Sequence, residues 1–153
     1  MHNPLVVGYK GEIGSFILQG LLKYLPKATN IWCVDVNETI EEKKQRILNS
    51  DVIFLCLPFN LIIGFLGLYR KELRGKVIIE QNSLKGIIYN HPKFKIYTEG
   101  ITLLSMHVLF RPSSTPRRED RTIAYIVGEE GLDQWHKLGI PWLFRDGCES
   151  SNL

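Results

Sequence analysis

Ten residues near the amino terminus restrict this chain to few folds. In Leu5-Val6-Val7-Gly8-Tyr9-Lys10-Gly11-Glu12-Ile13-Gly14 an apolar strand breaks into three glycines at the point where a helix must begin. Gly8 permits a tight turn out of the strand, Gly11 lets the backbone approach a pyrophosphate, and Gly14 lets the helix pack closely on a sheet. The amides of the first helical turn, Glu12 and Ile13 among them, then face an anion. A glycine-rich turn can serve packing alone, so a second signal is needed. Asp35 provides it: it lies 21 residues after Gly14, at the end of the apolar run Ile31-Trp32-Cys33-Val34. There its carboxylate can accept hydrogen bonds from ribose hydroxyls, which favours NAD over NADP because a 2'-phosphate would meet a like charge.

Hydrophobic periodicity extends the pattern along the chain. Ile13, Phe16, Ile17, Leu21 and Leu22 recur at helical spacing until Pro26, and Ile31 to Val36 reads as the second strand. Glu38 to Leu48 is a charged helix with a narrow apolar face at Ile40 and Ile47. Val52 to Leu57 is apolar throughout, the mark of a central parallel strand buried on both sides. Asn60 to Arg70 is expected to be a helix, Lys76 to Glu80 a buried strand, and Leu84 to Tyr89 a short helix. Strands are expected around Ile101 to Met106 and Thr122 to Val127, a helix over Glu130 to Leu138, and a last strand at Trp142 to Phe144. The alternation predicts an α/β doubly wound Rossmann fold, a mostly parallel sheet with helices on both faces. Arg111 to Arg121, which contains two prolines, is the one substantial loop, read either as a rim of the ligand crevice or as an ordinary surface connection.

At 153 residues the chain has the size of one domain, 1–153, able to bury about two-thirds of its unfolded surface. The net charge of +3 is small and its densest basic cluster, Arg117, Arg118 and Arg121, alternates with Glu119 and Asp120, which argues against a nucleic-acid surface. Cys33, Cys56 and Cys148 have no paired spacing, so a reduced, cytoplasmic compartment is expected, and no apolar run is long enough for a membrane span. His2, His91 and His136 have no acidic or cysteine neighbours at metal-ligand spacing, and no metal is expected.

Four segments together resemble the prephenate and arogenate dehydrogenases, over roughly Leu5 to Val127. The glycine turn carries one extra residue between its first two glycines, as that family's often does. Asp51-Val52-Ile53-Phe54-Leu55-Cys56-Leu57-Pro58 resembles its third strand, whose end, here Leu57 and Pro58, lies near the nicotinamide. Gln81-Asn82-Ser83-Leu84-Lys85-Gly86 resembles its Ser-x-Lys segment, and Ser105-Met106-His107-Val108-Leu109-Phe110-Arg111-Pro112 the segment with its catalytic histidine. The resemblance implies an NAD-dependent oxidative decarboxylation leading to tyrosine, with His107 as acid/base and Ser83 as its helper. Ser83, Lys85 and Arg111 would then meet the substrate. A neutral imidazole suits the task, since it can take the hydroxyl proton near pH 7 as a carbonyl forms.

The chain departs from the family at three places: Val108 stands where Pro is usual, Arg111 near the place of a Gly, and Glu80 where Asp is usual. The family continues into a helical domain that dimerises and closes the substrate pocket. The expectation here is the Rossmann unit alone, with a homodimer or partner chain completing the pocket. The alternative is a stand-alone NAD-binding module, or a subunit, without turnover of its own.

Overall fold

The computed structural model describes residues 3–25, 29–82, 85–108, 121–126 and 148–152. The glycine turn joins β1 (Pro4–Val7) to α1 (Glu12–Tyr24), and β2 (Trp32–Val34) and α2 (Ile40–Leu48) follow. Next come β3 (Val52–Leu55), α3 (Phe59–Leu68), α4 (Arg70–Leu73), β4 (Val77–Glu80), α5 (Lys85–Tyr89) and α6 (Phe94–Tyr97). Three further strands, β5 (Thr102–Val108), β6 (Arg121–Ile126) and β7 (Cys148–Asn152), complete a sheet in the order β2-β1-β3-β4-β5-β6-β7.

The first five strands in that order are mutually parallel. After β1 the chain steps outward to β2, then returns across β1 to β3, so the direction of winding reverses between β1 and β3. In open α/β sheets that reversal opens a crevice at the carboxyl ends of the strands. The doubly wound α/β expectation therefore holds. Parallel pairing does not run through to the end, however: β6 pairs antiparallel with β5, and β7 lies parallel to β6.

Helices cover both faces because each strand alternates its side chains between two apolar layers. On one face Val6, Phe54, Ile79, Leu104 and Met106 pack with Ile17 and Leu21, an i, i+4 pair on α1, and with Leu25 just after it. On the other, Leu5, Val7, Val34, Ile53, Leu55 and Ile78 meet Ile47 of α2, Ile62, Phe65 and Leu66 of α3, Leu73 of α4 and Ile88 of α5. Phe54 is fully buried in the central strand, so truncating it to Ala would cost about 3–5 kcal/mol.

Several element boundaries differ from the sequence reading for local reasons. α2 starts at Ile40 rather than Glu38, because Thr39 caps it: the Thr39 hydroxyl accepts from the Glu42 amide while the Glu42 carboxylate accepts from the Thr39 amide. The expected helix 60–70 begins at Phe59 and is divided at Tyr69, whose φ of −104° and ψ of 21° separate α3 from α4. Neither α6 nor β7 was anticipated. The expected helix 130–138, the strand 142–144 and loop residues 111–120 lie outside the described residues, whereas Arg121 opens β6.

Candidate functional site

The crevice is floored by the glycine turn, and each glycine answers to a different neighbour. Gly8 has a φ of +82°, a region that L side chains avoid, and a Cβ there would stand 2.5 Å from the Cys56 carbonyl oxygen. Its amide donates to Val34 O at 2.9 Å, while the Cys56 amide donates to Val7 O at 2.9 Å. The turn is thus tied to β2 on one side and to the end of β3 on the other. At Gly14 a Cβ would overlap the Gly8 carbonyl oxygen, so close packing of α1 on the turn requires glycine there. Gly11 is different. Its added Cβ would meet only Gly8 O, at an ordinary 3.5 Å, so the protein's own packing does not demand a glycine. What the missing side chain leaves open is the approach to α1 from outside.

Gly11 is also the N-cap of α1 and, having no side chain, gives the first-turn amides no cap. Glu12 and Ile13 open that turn, at the positive end of a 13-residue helix. A helix start without a side-chain cap and an open Cβ position suit a phosphate placed against the turn.

Asp35 sits at the edge of this crevice. Its Oδ2 accepts the Lys10 amide at 3.0 Å, linking the end of β2 to the glycine turn, and its Oδ1 accepts the Val36 amide at 2.8 Å. Each carboxylate oxygen keeps a second lone pair for a ligand hydroxyl. The carboxylate is aimed from behind: Glu38 Oε2 accepts the Asp35 amide at 2.7 Å, and Arg46 Nη1 donates to Glu38 Oε1 at 2.9 Å and to Cys33 O at 2.6 Å. The amide of Asp35, first, and Arg46 hold the Glu38 carboxyl below its ordinary value. Sequence reasoning gave neither Glu38 nor Arg46 a role here.

Leu57 and Pro58 follow β3 beside the glycine turn, Leu57 half-buried and Pro58 exposed at the start of α3. His107 lies near the carboxyl end of β5, two strands beyond β3, partly exposed and paired in register with Ala124 of β6. The glycine turn, Asp35, Leu57, Pro58 and His107 therefore share the carboxyl-terminal side of the parallel strands. Ser83 and Arg111 lie outside the described residues, as does the side chain of Lys85, whose backbone opens α5.

Between these groups lies a buried polar cluster that the sequence did not reveal. Glu80, at the end of β4, is fully buried. Its Oε1 accepts Ser105 Oγ at 2.5 Å and Tyr89 Oη at 3.4 Å, and its Oε2 accepts the Asn82 amide at 2.8 Å. Burial first, then the adjacent Glu80 carboxylate, pushes the Tyr89 phenol up to about 12, so it remains a protonated donor. The cluster joins β4, β5 and α5 at the carboxyl end of β4. By contrast, burial pushes the Cys33 and Cys56 thiols above their ordinary value of 9.0, as befits small apolar groups rather than nucleophiles. Among the described residues no group of three or more His, Cys, Asp or Glu is placed to hold a metal, and no helix is long and apolar enough to cross a membrane.

Neither a family model nor a curated protein matches the sequence. Solved structures do match the fold. The prephenate dehydrogenase from Aquifex aeolicus superposes with a TM-score of 0.76 at 16% identity, covering 100% of this chain and 62% of that one. An imine reductase from Myxococcus stipitatus in complex with NADP+ gives 0.72 at 15% identity, covering 99% and 55%. A semialdehyde dehydrogenase NAD-binding protein from Cupriavidus necator, in complex with calcium and NAD, gives 0.68 at 16%, covering 100% and 63%. The fold is that of the Rossmann-type dehydrogenases. This chain spans less than two-thirds of each of the three.

Proposed function

We propose that the chain binds NAD across the β1/β3 crevice and serves a hydride-transfer reaction of the prephenate dehydrogenase type. The observation that carries this reading is the Asp35 carboxylate bonded to the Lys10 amide of the glycine turn, which sets a ribose acceptor beside an uncapped helix start. The residues fit the group. The amides of Glu12 and Ile13 would meet the pyrophosphate over Gly11, Asp35 the adenosine ribose, and Leu57 and Pro58 the path toward the nicotinamide. Gly8 and Gly14 would maintain the turn. A 2'-phosphate on that ribose would face Asp35, so NAD is preferred to NADP.

Bound in this way, the nicotinamide would supply a hydride acceptor. The chain's own residues supply the rest. The His107 imidazole takes the proton from the substrate hydroxyl oxygen as the carbonyl forms, and Ser83 orients that hydroxyl or the imidazole. Lys85 and Arg111 engage substrate carboxylate, Arg111 through its bidentate fork. A homodimer or a partner chain would close the substrate side.

Calorimetric titration with NAD and NADP, followed by absorbance of NADH with prephenate or arogenate present, tests both levels of this reading. NAD binding with NADH formation abolished by His107→Ala supports the enzyme. Binding without turnover on either substrate reduces the protein to a binding module, and no binding at millimolar dinucleotide removes the whole proposal.

A further inference from the structure

Gln81 ends β4's approach to the crevice with a side-chain amide that has no hydrogen-bond partner at either end. Both Nε2 and Oε1 are buried and unpaired. Folded proteins satisfy nearly all such atoms, because each one left unmet costs about 1–3 kcal/mol. The backbone around it is fixed rather than loose: the Glu80 carboxylate, itself fully buried, accepts the Asn82 amide at 2.8 Å and so clamps the turn with Gln81 at its centre. Gln81 as a residue stays partly exposed although its amide atoms are covered, so part of the residue reaches the surface. Meeting a ligand would take a rotation of this side chain.

Its position is specific. Leu55, Glu80 and Ser105 are aligned across β3, β4 and β5, so one register step further stand Cys56, Gln81 and Met106. Cys56 is the residue whose carbonyl touches Gly8, and Met106 is followed by His107. Gln81 therefore occupies the strand between the end of the glycine turn and the imidazole. A ring that must exchange hydride with a substrate held at His107, while its phosphates rest on α1, has to pass over this strand.

We infer that Gln81 recognises the carboxamide of the nicotinamide ring. A primary amide offers one donor and one acceptor in a plane, and the unpaired Nε2 and Oε1 are the complement of that pair: Nε2–H donates to the ligand carbonyl, and Oε1 accepts from the ligand N–H. The inference rests on the dinucleotide reading above and adds the residue that distinguishes the nicotinamide half from the rest.

The test separates the two. NAD, ADP-ribose, which lacks the nicotinamide, and the deamido analogue, in which the carboxamide is a carboxylate, are titrated into the full chain and into Gln81→Met and Gln81→Leu. The wild type is expected to bind NAD about tenfold or more tighter than the deamido analogue, and both variants to lose about tenfold in NAD affinity with ADP-ribose binding unchanged. Thermal unfolding without ligand should be unchanged or raised in the variants, since two unmet polar atoms are gone. NAD affinity equal in wild type and variants, equal affinity of the wild type for NAD and its deamido analogue, or a loss shared by ADP-ribose each overturns the role of Gln81. Failure of ADP-ribose and NAD to bind the wild type overturns the dinucleotide reading as well. The wild-type comparison of NAD with its deamido analogue decides the matter even if both variants fail to fold.

Discussion

Two helices of this protein begin in opposite ways. α2 closes its own start: Thr39 and Glu42 exchange hydrogen bonds, and the first-turn amide of Glu42 is met by the Thr39 side chain, eight residues before the buried anchor Ile47. α1 starts on a glycine with no side-chain cap, at a turn held open by backbone contacts from two strands. Local chemistry finishes the first of these helix starts, whereas the second has no side-chain cap. The contrast supports the proposed role of α1 as the phosphate end, with α2 as scaffold, although α2 carries the more regular motif.

The comparison is most open to attack at the glycines. Gly8→Ala combines a left-handed backbone with a carbonyl in the place of the new Cβ, and should cost about 3 kcal/mol or more, read as the urea midpoint, with loss of NAD binding. Gly11→Ala should change stability by less than about 1 kcal/mol, yet reduce NAD affinity about tenfold or more, because the packing leaves room for that methyl and the ligand does not. If Gly11→Ala binds normally, α1 is not the phosphate end. Thr39→Ala should cost about 1 kcal/mol by removing the α2 cap, with no change in affinity for NAD.

The smallest expected effect concerns acid. Asp35's amide and Arg46 lower the Glu38 carboxyl relative to its ordinary 4.5. A carboxyl lowered in the folded state stabilises above its unfolded pKa, and that contribution fades as pH falls from about 4.5 through the folded value. Glu38→Gln should therefore have a flatter loss of stability below pH 4.5 than the wild type, measured by denaturant midpoints, and slightly weaker NAD binding at neutral pH. Equal slopes would disconnect Glu38 from the aim of Asp35.

The parts of this site legible in the sequence are those whose chemistry is local. Three glycines in ten residues, and an acid closing the next apolar run, are set by what one turn and one strand end must do, and the structure brings Asp35 to the turn accordingly. The Glu80 cluster was not legible, because Ser105 and Tyr89 reach it from 25 and 9 residues away on other elements. Gln81 could be placed in a motif, but an unpaired buried amide is a property of packing and no spacing encodes it. β7 escaped because Cys-Glu-Ser-Ser-Asn shows no apolar alternation, and β6 is paired against the direction that the preceding strands had established.

Arg46 belongs to α2 and not to the glycine turn, yet its guanidinium bridges the Cys33 carbonyl and Glu38, and Glu38 holds the backbone of Asp35. On the proposed reading, the choice between two nucleotides differing by a single phosphate would depend on a side chain of α2 as well as on the carboxylate that meets the ribose. Substitutions along α2 would then offer a route to altered cofactor preference in which every residue at the mouth of the crevice stays as it is.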